Sequence, residues 1–260
     1  MSTVLNALAS ADSVLYLVVL ATGIIAGVIN TLAGGGSNLT VPALMMFGLP
    51  ADAANATNRV GVFLQCLVGI RGFSQAGKLA LNDVRPILGW TMAGGLIGAL
   101  SASFMPNIVL KPLMLFAMIS MAALVLLRPT TLAPKPDEPA RAVAEQPWAW
   151  LYLLLTGVYG GFVQAGVGFL LLGSLSGALR YDLWRANALK LLCTMMFTAV
   201  ALVVFVSRDQ VVWVPALVLA LGTMLGARLA VSWSLHISQR TLKWFVLWMT
   251  VAASVAAMLR

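Results

Sequence analysis

The stretch Gly34-Gly35-Gly36-Ser37-Asn38-Leu39-Thr40-Val41-Pro42 decides how this chain folds. It lies inside a region otherwise apolar enough to be membrane. Three consecutive glycines cannot hold a helix, since each costs about 1 kcal/mol against alanine in a helix interior. Ser37 and Asn38 are both good N-cap residues, because a short side-chain oxygen accepts a free amide of the first turn. Pro42 is then expected within the first four positions of the following helix, where its missing N–H removes no helical bond. One helix should therefore stop near Ala33, the backbone should open, and a second helix should start near Leu39. At membrane depth an open backbone survives only where protein buries it or it lines a polar cavity. The new helix also points the positive end of its dipole and its free amides at that cavity, which suits an anion. The competing reading is a turn at the cytoplasmic surface.

Around this stretch the composition fixes the class. The chain is 61% hydrophobic and 9% charged, with a mean hydropathy of +0.96, far from a soluble domain. It reads as an all-α, polytopic transmembrane protein. Met1 to Tyr16 contains no Lys or Arg and so lacks the basic start of a cleaved signal peptide. The net charge of +8 does not point to nucleic acid, because the cations sit between apolar runs and follow membrane topology instead. Cys66 and Cys193 lie inside apolar segments and are expected as reduced, buried thiols.

The apolar segments run over 14–33, 39–49, 53–72, 84–105 and 108–128, then again over 148–166, 169–179, 184–206, 211–234 and 239–259. Between them lies a polar linker, 129–147, with Pro134, Pro136 and Pro139. The expected domains are a first transmembrane repeat, 1–128, the cytoplasmic linker, 129–147, and a second repeat, 148–260. A crossing helix needs about 20 apolar residues, so the second segment of each half is too short. Each half then holds a broken or re-entrant helix pair plus three long helices. The halves echo one another. Gly23 and Gly27 answer Gly157 and Gly161, Gly94 and Gly98 answer Gly222 and Gly226, and Asn55 answers Asn187. The break at Gly34–Gly36 answers Gly166 and Gly168. Duplication with a helix break in each half marks a repeat-built transporter whose site lies where the breaks meet. The small-xxx-small pairs are expected to pack within one protomer.

Charge orients the repeats. If each half crosses an odd number of times, one side collects Arg71, Lys78, Arg85, Arg128, Lys135, Arg141, Arg180, Arg185, Arg240 and Lys243, while Lys111, Arg208 and Arg260 fall opposite. The positive-inside rule then favours inverted repeats with a cytoplasmic linker.

All eight acids fall in loops, the linker or segment ends, so no carboxylate is available at depth for a cation or proton. Arg59 and Lys190 do enter the apolar segments, with the amides Asn55, Asn58, Gln65, Gln164 and Asn187. Asn55, Asn58 and Arg59 share one helix face, as do Asn187, Lys190 and Thr194. Cations and amide donors facing two helix starts make a site for a negative substrate. The candidate binding residues are Gly34, Gly35, Gly36, Ser37, Asn38, Asn55, Asn58, Arg59, Gln164, Gly166, Gly168, Asn187 and Lys190. The competing reading has Arg59 and Lys190 snorkelling to the headgroups.

The run from Gly27 to Asn38, its continuation to Pro42, Gly48-Leu49-Pro50 and Ala56-Thr57-Asn58 together resemble the TauE/SafE family of membrane permeases. The likeness covers nearly the whole chain and is strongest from Gly23 to Gly61. It implies a multi-pass protein of a bacterial inner membrane that moves sulfite or an organosulfonate, with export as the namesake activity. An anion channel, or a carrier of another small anion such as thiosulfate or a carboxylate, is the alternative. An intramembrane hydrolase using Ser37 would need a base at depth, and the only histidine, His236, is expected in a short loop. A thiol relay through Cys66 and Cys193 finds no matching places in the repeats. No enzyme activity, cofactor or metal is expected. The expected partners are the bilayer and a small anion, with an oligomer left open.

Overall fold

A computed structural model describes residues 2–79, 84–127 and 140–236. The helices are α1 (Ser2–Leu32), α2 (Ser37–Met46), α3 (Ala51–Gln75), α4 (Val84–Phe104), α5 (Asn107–Leu127), α6 (Ala149–Phe162), α7 (Val167–Leu172), α8 (Leu183–Ser207) and α9 (Trp213–His236). A π-helical stretch, Gly173–Ala178, continues α7. Among the described residues there is no strand. The helix expected over 239–259 and most of the linker lie outside the described residues. His236, expected in a loop, is the last residue of α9.

Among the described residues four helices are long and apolar enough to cross a membrane: α1 over Val14–Leu32, α4, α8, and α9 over Trp213–Ser234. Leu17, Ile25, Phe104, Ile108, Phe116, Val203 and Leu221 are exposed on the outside of the bundle, as lipid contact requires and water disfavours. The 25-residue α3 is different. It carries Asn55, Asn58, Arg59 and Gln65 and buries them all, so it is hidden by protein rather than by lipid.

The first helix break forms where expected, with different capping. α1 ends at Leu32, and Gly34, at φ +97°, turns the chain. Helix α2 begins at Ser37, two residues earlier than expected, and its N-cap is Gly36. Ser37 and Asn38 do not cap. The Ser37 hydroxyl instead accepts from Asn58 Nδ2 at 3.1 Å, so a partner on α3 has taken the oxygen that local capping would use. Pro42 is the sixth residue of α2 rather than one of the first four. It therefore leaves the Asn38 carbonyl without its i+4 donor. In the second break, Gln164 adopts φ +66° and Gly166 φ +76°, and Gly166 is the N-cap of α7.

Both breaks are re-entrant hairpins. In the first, Gly36 lies on the Ala26 carbonyl and Asn30 of α1, and the Tyr16 and Phe47 rings sit 5.2 Å apart. Helix α2 thus returns towards the end where α1 entered. In the second, the Arg141 amide donates to the Leu179 carbonyl at 2.9 Å, which brings the chain before α6 beside the chain after the π-helical stretch.

Side-chain ties assign the ends of the bundle. At one end Asn107 donates to Asp52 at 2.8 Å. There Ser103 and Gln210 join the α4 terminus to the α8–α9 loop at 3.1 Å, and the Val212 amide donates to Thr57 at 3.0 Å. At the other end Lys78 sits 4.9 Å over the Trp184 ring, and Trp184 Nε1 donates to the Ser234 carbonyl at 3.3 Å. So α3 runs opposite to α8, and α4 opposite to α9. The first hairpin enters from the Asp52 end and the second from the Trp184 end. Their tips meet backbone to backbone at Gly34 and Gly168.

The glycine pairs make contact across the halves. Helix α1 packs along α9 and α4 along α6. A methyl added at Gly27 would lie 2.9 Å from Thr223 Cα, and one at Gly161 would lie 2.9 Å from Gly95 Cα. Small residues let these backbones touch. The contacts are within one chain, and each joins the first helix of one half to the fourth of the other.

Candidate functional site

Two buried cations organise the centre, one at each hairpin tip. Arg59 lies eight residues into α3, roughly 12 Å from the Asp52 end at 1.5 Å per residue. Its guanidinium donates to the last carbonyls of α6: Nη1 to Gly160 at 3.0 Å and Nη2 to Gly161. Nη1 also donates to Gln164 Oε1 at 2.8 Å, and Nη2 reaches Asn55 Oδ1 at 3.5 Å. Asn55 Nδ2 in turn donates to the Phe162 carbonyl at 2.8 Å. Gln164 completes the group by donating to Thr198 at 3.1 Å, and the guanidinium lies 4.9 Å from the Phe205 ring centroid.

Lys190 repeats the arrangement from α8, seven residues and roughly 10 Å in from the Trp184 end. Its ammonium donates to the last carbonyls of α1, Asn30 at 3.1 Å and Thr31 at 2.9 Å. The third donor goes to Asn187 Oδ1 at 2.9 Å. A helix C-terminus carries unpaired carbonyls and about half a negative charge. Each cation therefore compensates the open end of a hairpin that belongs to the other half. Snorkelling is excluded, since Arg59 is 0% and Lys190 1% exposed.

The remaining candidates fall around these two anchors. Asn58 is tied to the first turn of α2, donating to Ser37 and accepting from Thr40. Gly35 faces the Phe169 ring, Gly36 packs on α1, and Gly166 lies against Met121. Asn38 is buried, and neither end of its amide finds a partner among the described residues. Asn187 Nδ2 is likewise unpartnered.

A crevice on the Lys190 side, with about 160 Å³ of space partly open to the outside, runs between Asn30, Gly34, Gln65, Gly168, Lys190, Leu191 and Thr194. It is narrow and does not admit a water-sized sphere. Three of these residues belong to the expected set: Gly34, Gly168 and Lys190. Asn30, Gln65 and Thr194 do not. Gln65 was legible as an amide inside an apolar segment, and Thr194 as a neighbour of Lys190 on one helix face. Asn30 carried no signal beyond preceding the break. Among the described residues no Asp or Glu is buried, so the interior charge is two cations.

Helical hairpins that enter a bundle from opposite ends and meet between buried cations are an arrangement met in repeat-built membrane transporters. The comparisons agree. The family described as "Sulfite exporter TauE/SafE" matches residues 19–257, and the chain belongs to that family. Its similarity extends to "Probable membrane transporter protein ORF9" of Sinorhizobium sp, 26% identical over 89% of this chain and 87% of the relative. It also extends to "Probable membrane transporter protein YfcA" of Escherichia coli strain K12, 26% identical over 86% of this chain and 82% of the relative. A Haemophilus influenzae relative, "Probable membrane transporter protein", is 24% identical over 83% of each chain. The protein is thus a multi-pass membrane transporter of the TauE/SafE family.

Proposed function

We propose that this transporter moves a small sulfur-containing anion, sulfite or an organosulfonate, outward across a bacterial inner membrane. The observation that carries the reading is the charge of the centre. Two buried cations lie at the helix breaks, each on carbonyls that end the preceding helix, with no buried acid among the described residues. An anion supplies the missing charge, whereas a cation would add a third positive charge in a low-dielectric interior. The backbone leading into α2 (Gly34 to Ser37) and that around the start of α7 (Gly166 to Phe169) would offer an oxyanion those amides not already bonded to carbonyls, the Gly34, Val167 and Phe169 amides being taken. Asn38 and Asn187 have unused amide groups, while Asn55, Asn58 and Gln164 hold the tips in register.

Alternating access fits the two hairpins. Residues 1–128 and 148–260 act as inverted repeats joined by a cytoplasmic linker, 129–147, and the antiparallel course of α3 and α8 supports this reading. Rocking one half against the other would part the tips towards one end at a time. The test is reconstitution in liposomes with sulfite, methanesulfonate, thiosulfate and acetate. Saturable flux of sulfite or methanesulfonate with counterflow supports the proposal. Flux of acetate alone would reject the substrate class, and non-saturating conductance would favour a channel.

A further inference from the structure

The two tips are built alike, yet the Lys190 side holds more spare hydrogen-bonding capacity among the described residues. On the Arg59 side, Gln164, Asn55 and the terminal carbonyls of α6 are all paired, and only Arg59 Nε is left over. On the Lys190 side, Gln65 is 1% exposed, and both its amide nitrogen and its amide oxygen lack partners among the described residues. Gln65 lines the crevice beside Gly34, Gly168, Lys190 and Thr194. Two orphaned polar atoms on one buried side chain are costly, about 1–3 kcal/mol each, unless a ligand completes them.

We propose that the substrate subsite is this crevice, that it takes a singly charged oxyanion still bearing one proton, and that Gln65 is the residue that selects it. The inference rests on the transport function proposed above and deepens it. Flipping the amide leaves the argument unchanged, because either orientation presents one unpaired donor and one unpaired acceptor. The donor suits an anionic oxygen. The acceptor needs a ligand hydrogen, which a fully deprotonated oxyanion does not have and a hydrogen sulfite-type monoanion does. Among the described residues Lys190 is the only cation lining the crevice, so one negative charge is balanced and a second is not. All three Lys190 donors are already engaged. The ammonium therefore acts through its charge, and shape recognition falls to Gln65, the Thr194 hydroxyl and the glycine backbones. Because a water-sized sphere does not fit, the walls must part slightly before an anion enters, in keeping with a closed stage of a transport cycle.

The test is sulfite flux into liposomes holding the full-length protein, at a mildly acidic pH where sulfite carries one proton. Methanesulfonate, a monoanion without an O–H, and sulfate, a dianion, serve as competitors. Wild-type protein should transport sulfite, with methanesulfonate competing weakly and sulfate not at all. Gln65→Leu, close in shape and apolar, should raise the KM for sulfite about tenfold, the loss of one hydrogen bond to a charged group. It should also bring sulfite down to the level of methanesulfonate. Unchanged sulfite KM in Gln65→Leu overturns the proposal, and so does sulfate competing as well as methanesulfonate in wild-type protein. The competition needs no variant, so it decides even if Gln65→Leu fails to assemble. Wild-type protein that moves neither sulfite nor methanesulfonate overturns the transport reading itself and the subsite with it.

Discussion

The tip held by Arg59 and the tip held by Lys190 share a plan and differ in completeness. In each, a cation from a long helix of one half binds the last two carbonyls before the break in the other half, assisted by an asparagine one turn earlier on its own helix. Arginine has five donors and uses four of them here, on two carbonyls and two side-chain oxygens. Lysine has three and uses all three. The Arg59 tip is left with one unused donor, Nε, as a result. The Lys190 tip leaves Gln65 and Asn187 Nδ2 unpaired beside a crevice. The comparison teaches that pseudo-symmetric halves need not share a function equally: on the proposal above, the Arg59 tip would anchor the two halves and the Lys190 tip would meet the ligand.

The largest expected effect tests whether the tips must touch. Gly34 combines φ +97° with backbone contact to Gly168, whereas Gly35 has ordinary φ and meets only the Phe169 ring, 2.8 Å from an added methyl. Gly34→Leu should abolish both folding stability and flux, since backbone cannot yield and a left-handed φ strains a side chain. Gly35→Leu should abolish flux while the protein still inserts, because a side chain there crowds the opening between the tips. Gly35→Ala should retain part of the flux, because the ring can rotate away. Thermal unfolding in detergent alongside liposome flux checks all three. Wild-type flux in Gly35→Leu would make the glycine run a plain turn and move the site elsewhere.

The cations separate next. Arg59→Met takes the donor away from the Gly160 and Gly161 carbonyls and from Asn55 Oδ1, a loss of about 3–5 kcal/mol on general grounds for a buried charged partner removed. It should lower the Tm strongly while leaving the KM of any surviving flux within about threefold. Lys190→Met removes two carbonyl bonds and the only charge in the crevice. It should lower the Tm less and raise the substrate KM at least tenfold. Equal KM shifts in the two variants would restore a symmetric site. Arg59→Lys should recover only part of the stability, since an ammonium cannot reproduce the planar fork.

Much of the fold was legible because its signals are local. The glycine run, the short second segments and the repeated Asn55 and Asn187 could be read in sequence, and so could the burial of Arg59 and Lys190. What the cations bind could not. Their partners are carbonyls 101 and 159 residues away, and backbone oxygens leave no residue-specific trace. The caps of α2 failed for a related reason, since Asn58, 21 residues on, claims the Ser37 hydroxyl. The pairing of glycines across the halves was hidden too: a repeat shows which residues correspond, not which ones touch.

That pairing gives a smaller, symmetric prediction. Gly27 on α1 approaches α9 nearly as closely as Gly161 on α6 approaches α4, an added methyl meeting the Thr223 carbonyl oxygen in the one and that of Gly95 in the other. Gly27→Ala and Gly161→Ala should each cost about 1–3 kcal/mol from overpacking against backbone and lower the Tm by similar amounts. A marked difference between them would show that the interleaved helix pairs are not equivalent.

The smallest energetic effect carries the sharpest statement about topology. Lys78 follows α3 and lies over Trp184 at 4.9 Å, and Arg208 follows α8 and lies over Phe104 at 4.2 Å. These are matching loops of the two halves, at opposite ends of the bundle. Exposed cation–π contacts contribute about 0.5–1 kcal/mol, so Lys78→Cys and Arg208→Cys should each fold and transport almost as wild type. Cys66 and Cys193 are buried, so an impermeant maleimide reports the introduced thiol. If the repeats are inverted, the thiol at 78 reacts only from the cytoplasmic face, where the cationic loops gather, and the thiol at 208 only from outside. Reaction of both from one face would break the inverted arrangement, and with it the idea that the two hairpins enter the membrane from opposite sides.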